Sequence, residues 1–250
     1  MSIYFAILVF ILGLLIGSFL NVCIFRIPLR QSVVTTPSHC GSCGKGIRSC
    51  DLIPVLSYLL LGGKCRFCGE KVSLRYPMVE LLNAGTYLLI YQACGLSIQF
   101  MGFALLASAL IVIAFIDYDH KIIPDGIVLL LIGAGIIYSV FAHDVTWLDR
   151  LIGFFVASLP LYLLLLLSRG GVGGGDIKLM AAVGIYLGWK LTLLSLFMGA
   201  VLGSIVAVIL LILKRKTRKD EIPFGPALAV GIMAAALYGN RLLDWYLGLL

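Results

Sequence analysis

Apolar runs recur along most of this chain, and crossing a bilayer as a helix takes about 20 such residues. Between polar breaks the runs fall near 2–25, 77–95, 98–116, 126–142, 150–168, 177–189, 191–213 and 224–247. Composition points the same way. The 250 residues are 61% hydrophobic and 12% charged, where a soluble domain carries about a quarter charged residues. The expected fold class is an all-α polytopic membrane protein with about eight transmembrane helices. The sixth run is short for a full crossing, and Gly188 to Lys190 could be only a tight turn.

Ser2 to Phe25 reads as a retained first span and not as a secretory signal. No basic residue precedes it, it is too long for a signal core, and it ends in Arg26 and Arg30. Short cytoplasmic loops keep Lys and Arg, so placing the segment after this span in the cytoplasm tests the arrangement. That choice puts 16 of the 19 basic residues inside, including Arg169, Lys178 and the run from Lys214 to Lys219. Arg150, Lys190 and Arg241 are left outside. The net charge of +7 then reflects topology and lipid contact, and nucleic-acid binding is not needed to explain it. The expected organisation is a first transmembrane helix at 1–25, a cytoplasmic loop domain at 26–76 and a membrane-embedded core at 77–250. No internal repeat is evident, and the glycine-rich run at 170–175 is the one biased stretch.

The loop holds Cys40-Gly-Ser-Cys43-Gly and Cys65-Arg-Phe-Cys68-Gly, two copies of one knuckle separated by 21 residues. Four thiolates arranged tetrahedrally suit zinc, and a closed shell of four leaves no place for water or substrate. A structural zinc held by Cys40, Cys43, Cys65 and Cys68 is therefore expected. A reducing cytoplasm disfavours disulfides, and a loop with little core would draw folding energy from the metal. Cys50 and His39 lie near the knuckles but outside the pattern. Cys23 and Cys94, in or beside spans, read as small apolar residues.

Acidic residues number only 12, and at membrane depth they are costly and usually functional. Asp117-Tyr118-Asp119-His120-Lys121-Ile122-Ile123-Pro124-Asp125 ends the third run, and Gly173-Gly174-Gly175-Asp176-Ile177-Lys178 opens the sixth. By the charge distribution both meet the cytoplasmic side. Two aspartates sharing a water can hydrolyse a peptide bond when one is ionised and the other protonated. Glycines before Asp176 would let the backbone approach an extended substrate. The same carboxylates could mark interfacial turns, the favoured reading for Asp119 and for Asp125 at a helix start. Spacing alone leaves Asp117 and Asp176 open between the two roles. A proton-coupled transporter would use the same acids but calls for inverted repeats. A membrane scaffold would leave the paired acidic motifs unexplained.

These motifs resemble those of the type IV prepilin peptidases, membrane aspartyl peptidases related through Gly-x-Gly-Asp to presenilin-like proteases. Gly17-Ser18-Phe19-Leu20-Asn21-Val22 followed by Arg26-Ile27-Pro28 looks like the family's opening motif. The cysteine pairs look like its zinc loop, and Ser73 to Glu80 resembles the entry to its second span. Asp117 to Asp125 and Gly173 to Lys178 match its two catalytic motifs. The resemblance implies Asp117 and Asp176 as the catalytic pair, acting on prepilin or pseudopilin leaders at the inner membrane with the active site facing the cytoplasm. It also implies N-methylation of the new terminus with S-adenosylmethionine, through residues it does not identify; a leader peptidase without that second activity is the alternative. Asp51, Glu70 and Glu80 are candidate contacts for positively charged leaders.

Overall fold

A computed structural model describes residues 3–167, 173–214 and 222–248. Among them the regular structure is helical, with two isolated β-bridges in the cysteine loop. Arg169, Gly170 and Gly171, and the basic residues from Arg215 to Lys219, lie outside the described residues. The chain divides into two compact units, Met1–Gly95 and Leu96–Leu250.

In the first unit, α1 (Ile3–Arg26) packs on α3 (Arg75–Cys94). Small residues let the backbones meet: a Cβ on Gly17 would fall 2.7 Å from the Glu80 Cα, the close approach typical of membrane helix pairs. Buried amides finish the contact, Asn83 donating to the Gly13 carbonyl at 2.8 Å and Asn21 to the Tyr76 carbonyl at 3.1 Å. The helix that the sequence reading grouped with the residues after it, α3, thus takes α1 as its partner. Between them lie a 3-10 turn, Ser49–Leu52, and the short α2, Leu56–Leu60. Arg26, counted above for its charge, is buried, and its guanidinium donates to the carbonyls of Ser32, Thr36 and Pro37. It thereby shapes the chain entering the first knuckle.

The second unit contains α4 (Ile98–His120), α5 (Asp125–Phe141), α6 (Trp147–Val156), α7 (Ser158–Leu167), α8 (Gly174–Ile212) and α9 (Gly225–Leu247). The sixth and seventh apolar runs are joined in α8, which Gly188 interrupts at φ 69° and ψ 176°. The arm before that break is shorter than the ~17–25 residues of a crossing. Among the described residues each of the eight apolar runs is largely helical, and five helices are long and apolar enough to cross a membrane: α1, α4, α6 with α7, α8 and α9; α5 is apolar but shorter.

Arg150 holds the α8 break in place. Its buried guanidinium donates to the carbonyls of Ile185 at 2.6 Å, Tyr186 at 3.3 Å and Ala142 at 3.1 Å, and pairs with Asp144 at 2.7 Å. Those carbonyls lie at the ends of helical stretches, where backbone acceptors run out of helical donors. Nearby, α6 touches α8 backbone to backbone, and a Cβ on Gly184 would fall 2.2 Å from the carbonyl carbon of Gly153.

Candidate active site

Asp117 sits near the end of α4, one turn before Lys121, whose left-handed backbone (φ 55°) closes the helix by donating to the Asp117 carbonyl at 2.9 Å. Asp176 sits in the first turn of α8. Both are buried, whereas Asp119 and Asp125 are exposed. Although far apart in sequence, Asp117 and Asp176 are close enough to interact electrostatically.

Glycines allow this crowding. A Cβ on Gly175 would fall 2.7 Å from the Cβ of Ile123, so the two acidic motifs meet through a residue that must lack a side chain. The third participant was not anticipated from sequence. At the start of α9, the Gly225 N–H donates to Asp117 Oδ2 at 2.7 Å, and a Cβ there would fall 2.8 Å from that same oxygen. The signal available was Ile222-Pro223-Phe224-Gly225-Pro226, a glycine between prolines opening an apolar run. Asp125 pairs with Lys178 at 2.8 Å with both side chains exposed, linking the starts of α5 and α8. Such an arrangement buries two carboxylates within electrostatic reach of each other, a pairing suited to acid–base chemistry.

In the first unit the two knuckles fold alike. Gly44 N–H donates to the Cys40 carbonyl and Cys40 N–H to the Lys45 carbonyl; Gly69 and Cys65 repeat the pattern with Cys65 and Glu70. Gly44 and Gly69 take φ of 69° and 72°, which glycine adopts without strain. The sulfurs of Cys40, Cys43, Cys65 and Cys68 lie within 4.8 Å of one another and could hold a metal ion. Sulfurs at about 2.3 Å from a tetrahedral zinc would stand about 3.8 Å apart, and Cys40 Sγ lies 3.8 Å from Cys68 Sγ. Backbone N–H groups of Cys43 and Ser42 hold the Cys40 thiol down at about 6, whereas the neighbouring cysteines help push Cys68 up. His39 and Cys50 stay outside the group; they contact Pro37 and Asp51.

Of the three acids considered for leader contact, Asp51 is engaged by Arg66 at 2.6 Å, which holds its carboxyl below the usual range. Glu70 is exposed. Glu80 is buried and accepts the Val55 N–H at 2.8 Å.

Residues 11–94 match the bacterial peptidase A24 N-terminal domain, and residues 104–208, which contain both aspartates, match the type IV leader peptidase family. The chain belongs to the type IV leader peptidase family. It is 34% identical to a Pseudomonas putida protein named prepilin leader peptidase/N-methyltransferase, over 96% of this chain and 92% of that one. Relatives of the same name in Bacillus subtilis (32% identical; 96% and 97% covered) and Neisseria gonorrhoeae (33%; 95% and 93%) extend the likeness. No solved structure matches the chain. The two matched domains follow the division into units. The buried aspartates fall in one and the cysteine cluster in the other.

Proposed function

We propose that this multi-pass membrane protein cleaves the short leader from prepilins or pseudopilins at the cytoplasmic face of the bacterial inner membrane. Asp117 and Asp176 act as the catalytic pair, and the new N-terminus is methylated with S-adenosylmethionine. The reading rests above all on two aspartates, buried on separate helices, coming within electrostatic reach of each other.

In the cleavage step the ionised carboxylate takes a proton from a water whose oxygen attacks the scissile carbonyl carbon. The protonated partner donates to the carbonyl oxygen. As the tetrahedral species collapses, one of its hydroxyls returns a proton to the partner carboxylate, the C–N bond breaks and the leaving nitrogen takes the proton first removed from water, so the pair returns to its starting state. The Gly225 N–H on Asp117 Oδ2 fixes that carboxylate, leaving its other oxygen for water. In the second reaction S-adenosylmethionine supplies a methyl group to the exposed amine: an N–C bond forms, the S–C bond breaks with its electrons left on sulfur, and the amine sheds one proton.

The four cysteines hold a structural zinc, and the basic residues beside the spans contact lipid headgroups. The cytoplasmic orientation follows from the distribution of Lys and Arg. Incubating purified full-length protein with a model prepilin and the methyl donor, then weighing the products, tests both reactions. Loss of the leader together with gain of one methyl is expected. An intact prepilin would remove the peptidase reading, and a cut but unmethylated product would remove the methyl-transfer half.

A further inference from the structure

A cavity of about 500 Å³ opens within the first unit, between α1, α3 and the cysteine loop. Its volume falls in the range of roughly 300–1,000 Å³ that small-molecule and cofactor sites occupy. The lining includes Asn21, Phe25, Tyr58, Lys64, Tyr76 and Glu80, with further basic residues and the carboxylates of Asp51 and Glu70 in the same wall; Asp51 is taken by Arg66 and Glu70 is exposed, which leaves Glu80 as the buried carboxylate beside the aromatic faces. A second hollow, along α6 and α7, is lined only by apolar side chains.

Glu80 is the unusual member of this wall. It is 7% exposed and accepts hydrogen bonds from two neutral donors, the Val55 N–H and the Ser18 hydroxyl. Val55, also in the wall, stands at φ 60° and ψ −49°, in a tight turn closed by Leu56 N–H on the Pro54 carbonyl. A β-branched residue in that conformation is strained. Strain of this kind persists where neighbours over-determine it, and it gathers at ligand sites.

The chemistry of the wall matches one participant in the proposed reactions. A methyl donor of the sulfonium class carries a permanent positive charge at the reacting centre, a carboxylate at its amino-acid end and a flat purine. We infer that this cavity is the methyl-donor site and that the Glu80 carboxylate faces the donor's sulfonium. Lys64 takes the donor's carboxylate, and Phe25, Tyr58 and Tyr76 offer faces for the purine. This assignment rests on the methyltransferase reading and divides the two activities between the two units.

The test is equilibrium binding of S-adenosylmethionine and of its neutral-sulfur product, S-adenosylhomocysteine, to the full-length protein in detergent. Wild type should bind the donor more tightly than the product. Glu80→Gln keeps the shape but removes the charge, so it should weaken donor binding by about tenfold or more and bring the donor-to-product ratio towards one. A Glu80→Gln protein that melts with wild type and keeps the wild-type ratio would overturn the role of Glu80. Should that variant fail to fold, a photoreactive donor analogue on wild type decides the location. Labelled peptides within 18–80 support the assignment, and labels confined to 96–250 overturn it while leaving methyl transfer intact. Wild type binding neither compound would remove the methyl-transfer reading as well.

Discussion

The Gly225 N–H donates to the Asp117 carboxylate at 2.7 Å across 108 positions of sequence, tying the start of α9 to the end of α4. N–H groups in a first helical turn have no partner within their helix and are suited to hold an anion. Gly225→Ala would insert a methyl 2.8 Å from the Asp117 Oδ2 and push that carboxylate out of line. A misplacement of about 1 Å can lower a rate roughly 10²-fold. We expect kcat/KM for a model prepilin to fall by that order while the melting temperature stays near wild type; unchanged kcat/KM would deny the contact a part in catalysis.

Asp117→Asn and Asp176→Asn each supply an amide that neither takes a proton from water nor hands one over. Both proteins should fold, since each change removes a costly buried charge. Leader cleavage should drop to background in either, and the double variant should lose little more, because groups acting as a unit are strongly non-additive. Given a substrate already cut, both variants should still methylate it. A folded Asp176→Asn enzyme that cleaves at the wild-type rate would end the two-aspartate mechanism.

Asp125 and Lys178 form an exposed pair, and exposed pairs contribute about 0–1 kcal/mol. Asp125→Asn should therefore retain substantial cleavage and melt within a few degrees of wild type. A loss as deep as that of Asp117→Asn, measured side by side, would move Asp125 into the catalytic machinery.

Zinc analysis of the purified protein should give one ion per chain. Cys40→Ser with Cys65→Ser opens one position in each knuckle and should abolish zinc, with proteolysis of the loop between α1 and α3 rising first and cleavage of prepilin declining as a consequence. Full zinc content in that double variant would place the ion elsewhere.

Gly184→Ala probes the frame behind the site. Its Cβ would meet the Gly153 backbone at 2.2 Å, where no side-chain rotation relieves the clash. Overpacking costs typically 1–3 kcal/mol and occasionally more, so the melting temperature in detergent should fall by several degrees or the protein should fail to fold. A variant as stable as wild type would mean that α6 and α8 can separate freely.

Hydropathy and thiol spacing are local properties, which is why the eight apolar runs, the two knuckles and the acidic motifs at Asp117 and Asp176 were legible in the amino-acid sequence alone. An apolar run becomes helical in a bilayer because its backbone must bond within the segment, whatever lies beside it. The four cysteines need only their repeated turn and the approach of one knuckle to the other. What the sequence left open was decided by partners far along the chain. Asp117 and Asp119 are two residues apart, yet helical geometry turns one inward and the other out. Gly225 gained its role only when α9 reached the end of α4, and Arg150, counted at first as a loop charge, became a buried cap for the carbonyls of Ile185 and Tyr186. Glu80, a candidate leader contact by sequence, is buried instead, with the turn at Val55 resting on its carboxylate. Burial and long-range hydrogen bonds depend on which surfaces meet, and that is set by the packing of whole helices.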